Sequence, residues 1–296
     1  MSKQVTKAVI PAAGFGTRML PFTKAVPKEL IPLVDTPVLQ YVVEEAVASG
    51  ANEILVVISE GKDAVKNHFS PAEDLEKRLH DSGKELLLES MQKINTLADI
   101  RYVYQSELNG LGGAVALAGE FVGNDPFFVL LGDTVMDSAD ALPVSGQLAV
   151  LYEKYGDPVV ALAEVPLEKV SSYGIASGSE IAQGVWLLDD LVEKPDVASA
   201  PSRMAVSARY LLTPDIFPEL GRIKPGKNNE MQLTDAIREL LQKRRFYGCQ
   251  VKGKRYDLGS VSGFIAANVE FAMRRPELQE VLGRQILDIL KEKNIL

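Results

Sequence analysis

A glycine-rich loop near the start of the chain carries the first residues that could do chemistry. The stretch is AAGFGTR, residues 12–18. It begins at the end of a short β-branched run, residues 7–13, that is typical of a buried strand. Such loops bind phosphate through backbone N–H groups. Met19 stands where the dinucleotide-binding pattern needs its third glycine, and no Gly-Lys-Ser/Thr of a P-loop follows. From the loop alone, a plain turn that uses two glycines remains the alternative.

Basic residues follow the glycines. Arg18, Lys24 and Lys28 lie within the next twelve positions, and Glu29 is the only acidic residue before Asp35. Cations fixed beside backbone N–H groups suit a triphosphate, whose charge must be neutralised as a transition state forms. We therefore predict a nucleoside triphosphate site here.

Strands and helices alternate around this loop. Apolar runs predict strands over 53–58, 100–105 and 126–133, and apolar faces predict helices over 37–50 and 113–121. We predict an α/β fold, a mixed but mainly parallel Rossmann-like sheet with helices on both faces. Ligands bind beyond the carboxyl ends of such strands, where the loop, Gln105 and Asp133 lie. Later strands are expected over 157–165, 204–212 and 245–251.

Two further segments are read as helical. Residues 70–96 are charged and predict an insertion packed on the outside, and residues 261–296 predict a C-terminal helical segment. No low-complexity linker interrupts the chain, so a single domain over 1–296 is expected.

Composition excludes several classes of protein. The net charge of −8 argues against a nucleic-acid binder. No apolar run is long enough for a membrane span or a signal peptide. A single cysteine, Cys249, allows no internal disulfide and predicts a cytoplasmic protein. His68 and His80 lie in polar, helical sequence, which favours solvated helix residues over zinc ligands.

Motifs along nearly the whole chain resemble the sugar-nucleotide pyrophosphorylases. The stretch PAAGFGTRMLPFTKAVPKELIPLVDTPVLQYVVEEA, residues 11–46, is followed in family order by NGLGGAV, LLGD, SSYGIA, VEKP, NNEMQLTDAI and KRYDLGS. Within that family the chain looks most like the bacterial UTP–glucose-1-phosphate uridylyltransferases. The resemblance implies the nucleotide-diphospho-sugar transferase fold. It also implies Mg²⁺-dependent, in-line attack of glucose 1-phosphate on the α-phosphate of UTP, giving UDP-glucose and pyrophosphate.

The matching motifs imply roles for individual residues. Arg18 and Lys28 would be the catalytic cations on the phosphates. Nucleotide binding is implied for Ala12, Ala13, Gly14, Gly16, Thr17, Gln105 and Gly110. Sugar-phosphate binding is implied for Gly174, Glu193, Lys194 and Val206, and Mg²⁺ binding for Asp133 and Asp257. Adjacent strand residues point to opposite faces, so Glu193 and Lys194 can serve one site only if the backbone twists between them.

Three positions depart from the family pattern. Asn109 and Gly113 stand where the uridylyltransferases usually read K-G-L-G-H-A, and Ala208 stands where they tend to have glycine. These departures leave open a preference for dTTP or another hexose 1-phosphate, and also a non-catalytic paralogue that regulates an active subunit. The family further implies a homotetramer or homodimer, with the C-terminal helices as possible subunit contacts.

Overall fold

The computed structural model describes residues 3–226 and 229–295. Its strands are β1 Lys7–Pro11, β2 Pro32–Leu33, β3 Thr36–Pro37, β4 Glu53–Ile58, β5 Asp99–Tyr104, β6 Phe127–Leu130, β7 Thr134–Ser138, β8 Val159–Glu164, β9 Gly174–Ala182, β10 Val185–Glu193, β11 Met204–Leu212, β12 Tyr247–Gln250 and β13 Gly253–Asp257. Its helices are α1 Val38–Ala48, α2 Asp63–His68, α3 Glu73–Asp81, α4 Glu85–Asn95, α5 Leu111–Ala116, α6 Gly119–Val122, α7 Val144–Tyr155, α8 Ile216–Leu220, α9 Leu233–Leu241, α10 Val261–Met273 and α11 Pro276–Glu292.

Within these residues, nine strands form the central sheet in the order β5-β4-β1-β6-β11-β8-β12-β10-β9. The first four strands are parallel, as the alternation of strands and helices predicts. Beyond β6 the pairing is mixed: β11 is antiparallel to β6 and β8, and β10 is antiparallel to β12 and β9. A mainly parallel Rossmann-like sheet is therefore not confirmed. The β9–β10 hairpin explains part of the difference, because a tight turn at Gly184 (φ 71°) forces antiparallel pairing.

Helices cover both faces of the sheet. One buried cluster joins α1 and α7 to the strands through Leu39, Val42 and Leu148. The other joins α5, α8 and α9 to the opposite face. The predicted insertion forms α3 and α4 on the outside. Of the residues in these two helices, Leu88 of α4 is the only one that is buried. The predicted helix over 113–121 is instead two short helices, α5 and α6. Among the helices described, none is both long and apolar enough to cross a membrane.

A second, two-stranded sheet joins β7 to β13. The strands are antiparallel, with Asp257 opposite Thr134. Tyr256 and Leu258 pack with Val135 and Val38 in a small separate core that α10 completes through Ala267. The C-terminal part of the chain is therefore fixed beside the residues that follow β6.

A buried ion pair anchors this junction. Arg209 on β11 is fully buried, and its guanidinium donates to both carboxylate oxygens of Glu45 on α1, with Nη2–Oε2 at 2.6 Å. It also donates to the carbonyls of Ala208 (3.0 Å) and Thr134 (2.9 Å). The same carboxylate accepts from the backbone N–H and hydroxyl of Ser145 at the start of α7. One side-chain pair thus connects two helices, β11 and the start of β7.

Removing the carboxylate should leave a buried, uncompensated charge. We expect Glu45→Leu to lower the free energy of unfolding by about 3–5 kcal/mol, measured by urea denaturation. The double variant Glu45→Leu/Arg209→Met should lose less than the two single changes add up to, because it removes both charges. Glu44→Leu, on the neighbouring residue, is the control. A Glu45→Leu protein as stable as this control would show that the ion pair does not anchor the fold.

Candidate active site

The glycine-rich loop leaves β1 at the carboxyl edge of the parallel strands. Ala12 N–H donates to the Val57 carbonyl (2.8 Å), which fixes the loop to β4. Gly16 has a left-handed backbone (φ 66°), and a Cβ there would lie 3.0 Å from Cβ of Lys28. Residues 13–17 line a cavity of about 470 Å³, here called the loop cavity, with Lys28, Gln105, Gly110 and Asp133. The loop backbone and the Lys28 side chain therefore face one space, whereas Arg18 and Lys24 do not line it.

A buried lysine holds the loop from beneath. Lys62 Nζ donates to the carbonyls of Ala12 (2.5 Å) and Gly14 (2.8 Å) and to Oε2 of Glu29 (2.8 Å). Glu29 is fully buried, and burial raises its pKa despite the nearby Lys62 and Lys28. Burial likewise lowers the pKa of Lys62. Ala12 thus lies under the loop cavity and does not line it.

Lys28 and Asp133 form the closest ion pair of the site. Lys28 Nζ lies 2.5 Å from Oδ2 of Asp133, and both side chains are about four-fifths buried. Burial opposes the charge on Lys28, but the Asp133 and Glu29 carboxylates outweigh it and raise the pKa of Lys28. Burial also opposes the charge on Asp133, but Lys28, Thr134 and Arg18 together lower the pKa of that carboxyl. Both groups are therefore charged at neutral pH.

Asp257 reaches the same place from the far end of the chain. Thr134 and Asp257 are partners in the β7–β13 ladder, so the backbone of Asp133, which immediately precedes Thr134, lies beside that of Asp257. Arg18 Nη2 lies 4.0 Å from Oδ1 of Asp257, and its charge also contributes to lowering the pKa of Asp133. Gly259 N–H donates to Asp257 Oδ1 (3.0 Å) and orients it. The two predicted acids and two predicted cations therefore converge.

The donor set of this acidic pair fits a hard cation. Within residues 3–226 and 229–295, no group of three or more His, Cys, Asp or Glu side chains is placed to hold a metal. Two neighbouring carboxylates suit Mg²⁺, which keeps several waters or phosphate oxygens as its remaining ligands. His68 and His80 lie away from this pair, in α2 and α3.

Gln105 stands at the end of β5 with its amide orientation fixed. Its Nε2 donates to Oδ1 of Asn109 (2.9 Å) and to the carbonyl of Gly110 (3.3 Å), so Oε1 is left as an acceptor. Gly110 has φ 96°, and a Cβ there would lie 2.9 Å from the Met231 carbonyl. A Cβ at Gly113 would lie 1.7 Å from Oδ1 of Asn109. Two departures from the family pattern thus lie against each other: the Asn109 carboxamide needs the space that Gly113 leaves.

The second group of predicted residues surrounds the β9–β10 hairpin. Gly174 and Glu193 are partners in the ladder, and Glu193 Oε2 accepts from the hydroxyl of Thr234 (2.7 Å). Lys194 has φ 45°, and its Nζ lies 3.3 Å from Oε1 of Glu193. The predicted backbone twist between Glu193 and Lys194 is therefore present. With Val206 and Ala208 they line a hairpin cavity of about 260 Å³.

The cavities are parts of one cleft. Leu111, Leu131 and Glu230 line both the loop cavity and the hairpin cavity. An outer cleft of about 970 Å³ contains Arg18 and Asp257 and meets the hairpin cavity at Tyr173, Lys194, Val206 and Arg255. Arg18 lies at this outer side with an exposed side chain, because the short 3-10 turn Thr17–Met19 carries it out of the loop cavity.

A model of the nucleotidyl transferase family matches residues 7–274 of this chain. The chain belongs to that family. It is 45% identical over 293 residues to a UTP–glucose-1-phosphate uridylyltransferase of Bacillus subtilis (strain 168), covering 99% of this chain and 98% of the relative. A solved UDP-glucose pyrophosphorylase in complex with UDP-glucose is 42% identical, with a TM-score of 0.85 over 92% of this chain and 100% of that one. A UTP-bound UGPase from Acinetobacter baumannii is 32% identical, with a TM-score of 0.88 over 96% and 99%.

Several cleft residues of this nucleotidyl transferase were not predicted from its sequence. Lys62 follows β4 and belongs to no recognisable motif. It holds the glycine-rich loop through the carbonyls of Ala12 and Gly14, which come together only when the loop has folded. Thr234 and Tyr173 lie inside the quoted stretches NNEMQLTDAI and SSYGIA, so the signal was present but not assigned to them. Arg255 stands two residues before Asp257 in KRYDLGS, and the sequence analysis assigned it no role.

The contacts that Lys62 makes beneath the glycine-rich loop can be tested by removing its ammonium group. Lys62→Met leaves Glu29 buried without its nearest cation, so we expect a loss of about 3–5 kcal/mol in the free energy of unfolding. A carboxyl with a raised pKa in the folded state binds its proton more tightly there, so the loss should shrink between about pH 7 and pH 5. Urea denaturation at both values measures this, with Lys66→Met as control. A loss that is independent of pH would contradict the role given to Glu29.

Proposed function

We propose that the chain transfers a uridylyl group from UTP to glucose 1-phosphate, giving UDP-glucose and pyrophosphate. The observation that carries this is the proximity of two acid–base pairs: Lys28 contacts Asp133, Arg18 lies 4.0 Å from Asp257, and the β7–β13 register sets Asp257 opposite Thr134, the residue after Asp133. Near-full-length similarity to proteins named for this reaction supports it. A shared cleft lets two substrates meet without a covalent enzyme intermediate.

The bond changes need positioning more than acid–base chemistry. A phosphate oxygen of glucose 1-phosphate forms the new bond to the α-phosphorus. The bond from that phosphorus to the bridging oxygen breaks, and pyrophosphate leaves with the electron pair. A phosphate monoester is already ionised at neutral pH, so no base has to activate the nucleophile. The protein must align the two phosphates and neutralise the charge that builds on the leaving group.

The proposed roles follow the three parts of the cleft. The loop cavity takes UTP, with Lys28 against the α-phosphate and Arg18 on the outer phosphates. The hairpin cavity takes glucose 1-phosphate. We assign nucleotide binding to Ala12, Ala13, Gly14, Gly16, Thr17, Gln105 and Gly110, and sugar-phosphate binding to Gly174, Glu193, Lys194 and Val206. Ala12 acts through its carbonyl, which Lys62 holds.

Mg²⁺ is the proposed cofactor, held by Asp133 and Asp257. When bound, it supplies positive charge to the phosphate oxygens of UTP and of the departing pyrophosphate. The contact with Asp133 holds the Lys28 ammonium at the wall of the loop cavity, where the phosphates are proposed to bind. Arg18 lies 4.0 Å from Asp257, a looser contact of an exposed side chain.

The surroundings of the site support further proposals. We propose a single domain over residues 1–296 that assembles into a homodimer or homotetramer through α10 and α11. Exposed apolar residues on these helices support this assembly: Val261, Ile265, Val269, Val281, Leu287 and Ile289. Cys249 is a free, buried thiol whose pKa burial raises to about 11, consistent with the cytoplasm proposed from the single cysteine.

Purified protein with Mg²⁺, UTP and glucose 1-phosphate should release pyrophosphate. Lys28→Ala should lower kcat/KM by about 100- to 1,000-fold, because charge stabilisation at the reacting phosphates is lost. UTP should still bind to this variant in calorimetry. Lys77→Ala, an exposed lysine on α3, is the control and should match the wild type.

The same assay with dTTP at equal concentration decides nucleotide preference. Turnover of dTTP alone would replace uridylyl by thymidylyl transfer in the proposal. Protein that binds UTP but turns over neither nucleotide would support a regulatory paralogue instead.

The contact between Asn109 and Gly113 predicts a non-additive pair. Gly113→Ala must displace the Asn109 carboxamide and free the amide of Gln105, so we expect the KM for UTP to rise about three- to tenfold, the effect of one hydrogen bond. In an Asn109→Ala background the same change has nothing to displace and should have little effect. Initial rates of the four proteins measure this cycle. An equal effect of Gly113→Ala in both backgrounds would rule out the proposed contact.

A further inference from the structure

Apart from Arg255, the side chains that line the hairpin cavity offer no net positive charge to the ligand proposed for it. A phosphate monoester carries between one and two negative charges at neutral pH. The Lys194 ammonium is paired with Glu193 at 3.3 Å, so together they offer no net charge. Glu230 lines the same cavity and adds a further acid. A sugar phosphate therefore needs a second cation here.

Arg255 is placed to be that cation. It lines both the hairpin cavity and the outer cleft. Side chains alternate along a strand, so Arg255 and Asp257 lie on one face of β13 while Tyr256 packs into the core on the other. The guanidinium therefore stands between the sugar cavity and the proposed metal ligands, where the transferring phosphates must meet.

The guanidinium is held by an aromatic ring and not by an acid. Its Cζ lies 4.8 Å from the ring centroid of Tyr173, a cation–π contact. Within residues 3–226 and 229–295, Arg255 has no carboxylate within 4.0 Å, and its Nε is buried without a hydrogen-bond partner. Lys28, Arg18 and Lys194, by contrast, each have an acidic partner. A guanidinium that lines two cavities and has no acidic partner can pair with an anionic ligand there.

Tyr173 links the two cations. Its ring supports Arg255, and its carbonyl accepts the backbone N–H of Lys194 (3.0 Å). Gly174, the next residue, begins the strand that faces Glu193. Tyr173 is therefore a positioning residue that fixes Arg255 and Lys194 relative to each other.

We propose that Arg255 binds the phosphate of glucose 1-phosphate, together with Lys194, during attack on UTP. This rests on the proposed function and deepens it. A guanidinium can donate two parallel hydrogen bonds to one phosphate, which sets its orientation as well as its charge. Lysine at position 255 would keep the charge but lose this fork and the flat face that stacks on Tyr173.

The test separates the two substrates. Initial rates are measured for wild type, Arg255→Met and Arg255→Lys while glucose 1-phosphate or UTP is varied. We expect Arg255→Met to raise the KM for glucose 1-phosphate about 10- to 100-fold with little change in the KM for UTP, and Arg255→Lys to recover part of the loss. Arg245→Met, an exposed arginine just before β12, is the matched control.

Calorimetric titrations distinguish this inference from the function on which it rests. UDP-glucose, whose second phosphate comes from the sugar substrate, should bind Arg255→Met at least tenfold more weakly than wild type, while UTP binds both alike. Equal binding of UDP-glucose, or equal losses for both ligands, would overturn the role of Arg255. A wild type that binds UDP-glucose but releases no pyrophosphate would overturn the proposed reaction and leave the binding comparison valid. Should Arg255→Met fail to fold, Arg255→Lys carries the same comparison.

Discussion

Asp133 and Asp257 meet because the strands beside them pair. β7 begins immediately after Asp133 and β13 ends at Asp257, and their antiparallel register sets these ends side by side. Arg209 anchors the start of the ladder, because its guanidinium donates a hydrogen bond to the Thr134 carbonyl (2.9 Å). Its charge is balanced by Glu45. Two like charges are thus brought close by backbone hydrogen bonds and core packing. Their repulsion is offset locally by Lys28 and Arg18.

This arrangement explains how an acidic protein can hold highly charged anions. The chain carries a net charge of −8, so its long-range field does not attract a triphosphate. Within the cleft, two cations are held by acids, Lys28 by Asp133 at 2.5 Å and Lys194 by Glu193 at 3.3 Å, while the exposed Arg18 lies 4.0 Å from Asp257. Orientation in advance removes part of the reorganisation cost when phosphate arrives.

The sequence was most informative where one element determines its own conformation. The parallel strands β1, β4 and β6 are largely apolar, whereas the edge strand β5 is partly polar, and the order of the four strands places the glycine-rich loop, Gln105 and Asp133 at one edge. It was least informative where distant segments pair. The β7–β13 ladder and the antiparallel pairing of β11 join segments that are distant in the sequence, and local patterns do not encode these contacts. The β9–β10 hairpin is local, but it was not predicted from the sequence, so the sheet was predicted to be too parallel. Family motifs brought together Asp133 and Asp257, but motifs alone did not indicate Lys62, whose partners are backbone carbonyls.

Two non-glycine residues beside the hairpin cavity have a left-handed backbone. Lys194 (φ 45°) and Ala208 (φ 56°) both adopt the left-handed region, at a cost of about 1–3 kcal/mol each. At Lys194 this conformation turns the lysine side chain back beside that of Glu193, so that the two adjacent residues line one cavity. At Ala208 it directs the carbonyl to the Leu131 N–H (3.2 Å) and to Arg209, where β11 shifts register against β8. Both residues line the hairpin cavity, so two of the left-handed non-glycine residues lie where the sugar substrate is proposed to bind.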